Sequence, residues 1–196
     1  LDKELERRGH VFARYADDFI ILVKSAKAAV RVMGSVMNYV EKKLGLIVNQ
    51  TKSKSGKLAD TTFLGFLISP RGKVKWSAKA LDRFKQRVRE ITKRNRGQNV
   101  QFVINELRRY VQGSMNYFGI SHTYATVLEL DEWMRRRVRL YHWKQWKRPR
   151  ARRRNLIKLG INPGEVYKAS RSRKGYWRMS QNSLVRFALN NRYLKE

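Results

Sequence analysis

The chain has no cysteine, only three histidines and three prolines, and 15 acidic residues among 196. Each shortage removes a class of function. Without cysteine there are no disulfides, no thiolate zinc sites and no cysteine nucleophile. His10, His122 and His142 are too far apart in sequence for a zinc-ligand spacing, so any metal would be held by oxygen. No run approaches the 18 apolar residues of a membrane span. The aromatic residues are interleaved with charges instead of forming one amphipathic face, which argues against a membrane surface as partner. Leu1 to Arg8 read as the charged end of a helix, with neither a starting Met nor a signal peptide, and we expect the chain to begin mid-protein.

What is present in excess is positive charge. Lys plus Arg number 45, for a formal net charge of +30 and a pI near 11.1. A compact domain carries such a charge only with a polyanion to offset its self-repulsion, and nucleic acid is the default partner. The 42% hydrophobic content is enough for one domain or two small ones with real cores. Charge is uneven along the chain: residues 133–196 hold 20 of the 45 basic residues but only 2 of the 15 acidic ones. Within Arg135 to Arg154 there are eleven Lys or Arg and no acid, with Tyr141, Trp143 and Trp146 interspersed. A solvated basic helix would account for the charge alone. The aromatics add stacking surfaces for unpaired bases, so we expect RNA or DNA contact there.

The scarce acids include one adjacent pair at a telling place. Tyr15-Ala16-Asp17-Asp18 lies between two strand-like runs, Val11 to Ala13 and Phe19 to Val23, which presents two carboxylates at the turn of a β-hairpin. Asp-Asp in a turn is by itself ordinary turn chemistry. Two carboxylates at a hairpin are also how oxygen ligands for a two-metal phosphoryl-transfer site are brought together.

Downstream, Ser25 caps a helix whose apolar residues Val30, Met33, Met37, Val40 and Leu44 follow helical spacing up to Gly45. Leu46 to Val48 read as a short strand, Asn49 to Asp60 as a basic and polar loop, and Phe63 to Ser69 as one strand closed by a Pro70-Arg71-Gly72 turn. The hairpin finds no partner strands in the sequence, so part of its sheet is expected from another segment. From Ser77 the period becomes helical: Leu81, Phe84, Val88 and Ile91; then Val100, Val103, Ile104, Leu107 and Val111; then Leu130, Met134, Val138 and Tyr141. Gly97 and 119–123 are the connectors, and a last helix is expected between Gln181 and Leu194. The fold class is α+β, a small α/β part at residues 1–75 followed by a helical part at 76–196.

These residues carry a resemblance. Tyr15-Ala16-Asp17-Asp18 resembles the catalytic hairpin of group II intron reverse transcriptases, and Asn49-Gln50-Thr51-Lys52-Ser53 is similar to the loop that follows it. Phe63-Leu64-Gly65-Phe66 resembles their primer grip. Tyr110-Val111-Gln112-Gly113 with Asn116-Tyr117-Phe118, then Trp143-Lys144-Gln145-Trp146-Lys147 and Lys174-Gly175-Tyr176-Trp177, resemble the maturase, or X, region. The motifs cover nearly the whole chain in the family's order. Ser114 departs from the aromatic usual after that Gly, and the family's third metal-binding Asp, on an upstream strand, has no counterpart here; Asp2, Glu4 and Glu6 sit on a charged helical stretch and substitute poorly.

The resemblance implies the C-terminal palm, with catalytic hairpin and primer grip, followed by a helical thumb and maturase region. It implies RNA-directed DNA polymerisation by two-metal phosphoryl transfer with Mg²⁺ on Asp17 and Asp18, on a DNA primer paired to an RNA template, using deoxynucleoside triphosphates. The segment before Leu1, carrying fingers and the third Asp, is the missing partner, and the chain alone is expected not to polymerise. Lys52 would assist the departing pyrophosphate, with Lys54 or a plain solvated loop as alternatives. Tyr15 and Ala16 would form the floor under the primer end, or Tyr15 would simply pack in the hairpin. Phe63, Leu64, Gly65 and Phe66 would meet the primer strand, or form a core strand.

Lys79, Lys85, Arg87, Arg89, Lys93 and Arg94 lie off the apolar face and would track the template-primer duplex. Arg135, Arg136, Arg137, Arg139, Trp143, Trp146, Arg152, Arg153 and Arg154 are the expected contacts to group II intron RNA, whose splicing the region assists, whereas Tyr176 and Trp177 would pack under the last helix or stack on bases. The alternative is a splicing factor that binds RNA and carries an idle hairpin. No nuclease motif rich in Cys or His follows, and a bacterial cytoplasm is the expected setting, with organelles the other possibility.

Overall fold

The structure is a computed structural model and describes residues 1–190. Its elements run α1 (Asp2–Arg7), β1 (Val11–Tyr15), β2 (Asp18–Leu22), α2 (Ala26–Leu44), β3 (Thr62–Phe63), β4 (Phe66–Ile68), β5 (Val74–Trp76), α3 (Ala78–Ile91), α4 (Val100–Phe118), α5 (Tyr124–Gln145), α6 (Pro149–Lys158), α7 (Pro163–Ser170), α8 (Tyr176–Met179) and α9 (Ser183–Ala188). Helices and two small antiparallel sheets make it α+β. The chain divides into two compact units, Leu1–Ala80 and Leu81–Glu196, and the division falls inside α3.

The first unit is built on the β1–β2 hairpin, whose two-residue turn pairs Tyr15 with Asp18 and Val11 with Leu22. One hairpin face, through Phe12 and Ile21, packs on a core of Leu5, Val32, Val36 and Val40. Helix α2 starts where the Ser25 side chain accepts the Ala28 N–H and stops at Gly45 in the left-handed region (φ 63). Its buried stripe is Val32, Val36 and Val40, with Met33 and Met37 at its edge; Val30, expected inside, is 66% exposed. The two stripes differ by less than one residue's rotation on a 3.6-residue period, and packing against the hairpin decides between them.

Three expectations for strands are corrected. Leu46 to Val48 form no strand, and Ile47 is 97% exposed. Phe63 to Ser69 are not one strand but a hairpin: β3 pairs with β4 around Leu64 and Gly65, both at positive φ (50 and 81). Positive φ at both central positions is the turn whose twist suits a two-residue hairpin, and Gly65 supplies the second position without strain. Finally, Val74–Trp76, at the expected boundary between the two parts and not read as a strand, is the third strand of that sheet, paired with Phe66–Ile68.

In the second unit, α3, α4 and α5 bury Phe84, Val88, Ile91, Val103, Leu107, Leu130, Val138 and Tyr141, all on the spacing read from the sequence. The basic run is not one helix. Pro149 lacks the N–H an interior helical residue needs and excludes the helical conformation before it, so α5 ends at Gln145 and α6 restarts with Pro149 in its first turn. Helices α6 to α9 close over a second core of Trp143, Leu156, Ile161, Val166, Met179, Val185, Ala188 and Leu189. The expected last helix is Ser183–Ala188; positions 191–194 of that expectation lie outside the described residues.

Candidate nucleic-acid interface and carboxylate hairpin

At the tip of β1–β2, Asp17 sits in the turn and Asp18 opens β2, both exposed, and neither makes an ion pair among the described residues. Ala16 holds the left-handed conformation (φ 52), which costs a residue with a Cβ about 1–2 kcal/mol. The turn is held from behind by Arg14. Its guanidinium donates Nε and Nη2 to the two carboxylate oxygens of Asp2, each at 2.6 Å, and Nη1 to the Ala16 carbonyl at 2.8 Å. This bidentate fork lowers the Asp2 pKa below the usual carboxylate range and raises that of Arg14. Arginines also engage Glu4: Arg7 and Arg8 pull its pKa down to about 2. Asp2 and Glu4 of α1 are therefore occupied, whereas Asp17 and Asp18 are free to bind something else.

As hard oxygen donors, Asp17 and Asp18 fit Mg²⁺, which is seldom caged by protein alone and keeps several waters. No group of three or more Asp, Glu or His is placed to hold a metal among the described residues. Tyr15 is 68% exposed beside the pair. The loop after α2 is built by Asn49, whose Oδ1 accepts the Thr51 N–H (3.1 Å), the Thr51 hydroxyl (2.7 Å) and the Lys52 N–H (3.2 Å). That turn presents Lys52 to solvent. In the Phe63–Phe66 element Phe66 is buried, Phe63 half-buried, and Leu64 and Gly65 form the turn.

The basic candidates separate by burial. Lys79 and Lys93 are exposed; Arg87 is ion-paired with Glu90 (3.0 Å) and Glu106 (3.5 Å). Lys85 and Arg89 line a groove between α3 and α5 with Glu129 and Trp133, and Arg89 lies over the Trp133 ring at 5.6 Å. Arg94 covers Tyr176 at 5.3 Å. In α5, Arg135 pairs with Asp131 and Arg136 lies 3.6 Å from the centre of the Trp177 ring.

Four expected contacts prove internal. Arg137 donates to the Thr92 hydroxyl (2.8 Å) and the Arg89 carbonyl (3.1 Å), and Arg139 to the Ser180 carbonyl (3.1 Å). Arg152 is buried, donating to the Trp146 carbonyl (2.9 Å) with its guanidinium 4.9 Å from Trp143. Trp143 itself is 0% exposed, so no base can reach it. Burial lowers the pKa values of Arg136, Arg137 and Arg139 without discharging them. Trp146 is half-buried against Trp143. Between Lys147 and Lys158 the cations facing solvent are Arg153 and Arg154, already expected, and Lys147, Arg148, Arg150 and Lys158, which were not singled out. Their signal was present: on a helix starting at Pro149, Arg150, Arg153, Arg154 and Lys158 share one face. Ser114 hydrogen-bonds back to the Tyr110 carbonyl within α4 (2.9 Å).

Residues 81–160, spanning α3 from Leu81 through α6, match the family model for the group II intron, maturase-specific domain. This stretch is similar to a group II intron maturase-specific domain. No curated protein gives a significant match. The internal arginines, the buried Trp143 and the outward cations of α6 all fall within the matched residues, while the carboxylate hairpin lies ahead of them. No helix among the described residues is long and apolar enough to cross a membrane.

Proposed function

We propose that the chain is the C-terminal palm, thumb and maturase part of an RNA-directed DNA polymerase that also binds group II intron RNA and assists its splicing. The observation that carries this reading is order: an exposed hairpin with two unengaged carboxylates precedes a maturase-specific domain in the same chain. Asp17, with Asp18 beside it, would hold Mg²⁺, which when bound activates a primer hydroxyl and offsets charge on the triphosphate. Arg14 fixes the turn that aims the two carboxylates, and Tyr15 and Ala16 offer the floor for the primer end. Lys52, on a loop set by Asn49, is placed in solvent where it can donate a proton to or neutralise a departing pyrophosphate. The Phe63–Phe66 hairpin turns its Leu64-Gly65 backbone toward the primer strand. Among the described residues no third carboxylate joins Asp17 and Asp18, so the polymerase reading requires one from another segment of the complete protein.

The same observation favours a second reading, a splicing factor whose hairpin is idle. Primer extension by the complete protein separates them. Asp17→Ala should lower extension by more than about a hundredfold while intron-RNA affinity stays within about twofold; undiminished extension would refute the metal assignment, and no extension by the parent protein would leave the splicing factor.

A further inference from the structure

We infer that the outward face of α6 grips paired RNA stems through their phosphates, and that the aromatic residues of this region are structural rather than base-stacking. The inference rests on the reading that the maturase-specific domain binds RNA and names the form of RNA it takes.

The physical case begins with the rings. Proteins that hold single strands need aromatic platforms on which bases stack, whereas double-stranded RNA is held by shape and by phosphate and 2′-hydroxyl contacts. Here most of the rings are already used, although Phe187 in α9 is 64% exposed. Trp143 is fully buried, and Tyr141 is buried with its hydroxyl donating to the Gln98 carbonyl at 2.7 Å. Tyr176 is flanked by Arg94 and Lys144, each 5.3 Å from its centre, and Trp177 by Arg136 at 3.6 Å. Arg171 lies 5.0 Å from the Tyr167 ring. Each cation over a ring is an attractive contact that a base would have to displace.

The exposed cations are the reverse case. Arg150, Arg153, Arg154 and Lys158 are exposed, make no ion pair among the described residues, and lie on one face over about 12 Å of helix at 1.5 Å per residue. The opposite face, through Arg152 and Leu156, is locked into the core. From Trp133 to Gly164 the sequence has no acid, so nothing nearby offsets this field. A rigid row of unpaired cations, on a helix with no aromatic residue of its own, meets phosphates and leaves bases unread.

The test measures binding of the full chain, between about 50 and 200 mM salt, to a blunt RNA duplex, an oligouridine strand and a DNA duplex of equal phosphate number. The RNA duplex should bind tightest. Arg153→Gln with Arg154→Gln should reduce the salt slope by about two at unchanged melting temperature. Trp177→Leu, and separately Tyr167→Leu, should change affinity for either RNA by less than about threefold. Oligouridine bound as tightly as the duplex, a tenfold loss of strand affinity in either ring variant, or an unaltered salt slope would overturn the inference. Tighter binding of the DNA duplex would overturn the assignment to RNA. Binding to none of the three would instead refute the RNA-binding reading on which it rests.

Discussion

At the scale of single residues, arginines of like charge have opposite duties, and burial assigns them. Arg152 satisfies the Trp146 carbonyl inside the core while Arg153, its neighbour in sequence, points to solvent. Arg152→Met should therefore destabilise the fold by about 1–3 kcal/mol, since it strands a buried acceptor, whereas Arg153→Gln should leave the melting temperature unchanged and weaken RNA binding. Trp143→Ala, at the centre of the same core, should cost about 3–5 kcal/mol in chemical denaturation. His142 gives a pH signature. Burial lowers its pKa to about 4 from 6.5, so the unfolded chain takes up a proton that the folded one refuses. Stability is then fully present above pH 6.5 and falls as the pH drops toward 4, by an amount of the order of 3 kcal/mol from this group. Melting curves of the parent and of His142→Phe across that window should diverge, with the variant showing the smaller slope.

At the scale of elements, hydrophobic periodicity made the long helices legible: Phe84, Val88 and Ile91, then Val103 and Leu107, then Leu130 and Val138 are buried as spaced. The first hairpin was legible too, because apolar runs flank an Ala-Asp turn. What could not be read was conformation set by one residue. Leu64 in the left-handed region turns an apparent strand into a hairpin, and nothing in its side chain announces that. The fate of the basic run was hidden because a side chain's identity does not tell which way it faces until Pro149 fixes where α6 begins. Among the described residues, Ala16 and Leu64 are the non-glycine residues at positive φ, and both fall in the hairpins that resemble functional motifs. Leu64→Asn should stabilise the first unit by about 1 kcal/mol, measured by urea titration, because Asn tolerates this backbone region better. If the turn serves the primer strand, the same change will alter primer affinity more than stability.

At the scale of the whole molecule, a net charge of +30 would oppose folding without a polyanion, and its distribution explains how two units divide the work. The unit holding the carboxylate hairpin has seven of the 15 acids, and two of them, Asp2 and Glu4, are paired to arginines away from Asp17 and Asp18. The unit holding the stretch similar to a maturase-specific domain commits part of its arginine to its own interior and presents the rest. The candidate site was thus half legible: the chemistry-bearing residue types could be named from sequence, and their exposure could not. The measurement that tests the account most directly is single-nucleotide incorporation by the complete protein with Asp17→Asn, followed alongside intron-RNA affinity in the same preparation. The account predicts incorporation reduced by more than about a hundredfold with RNA affinity within about twofold of the parent. Incorporation at the parental rate would contradict it.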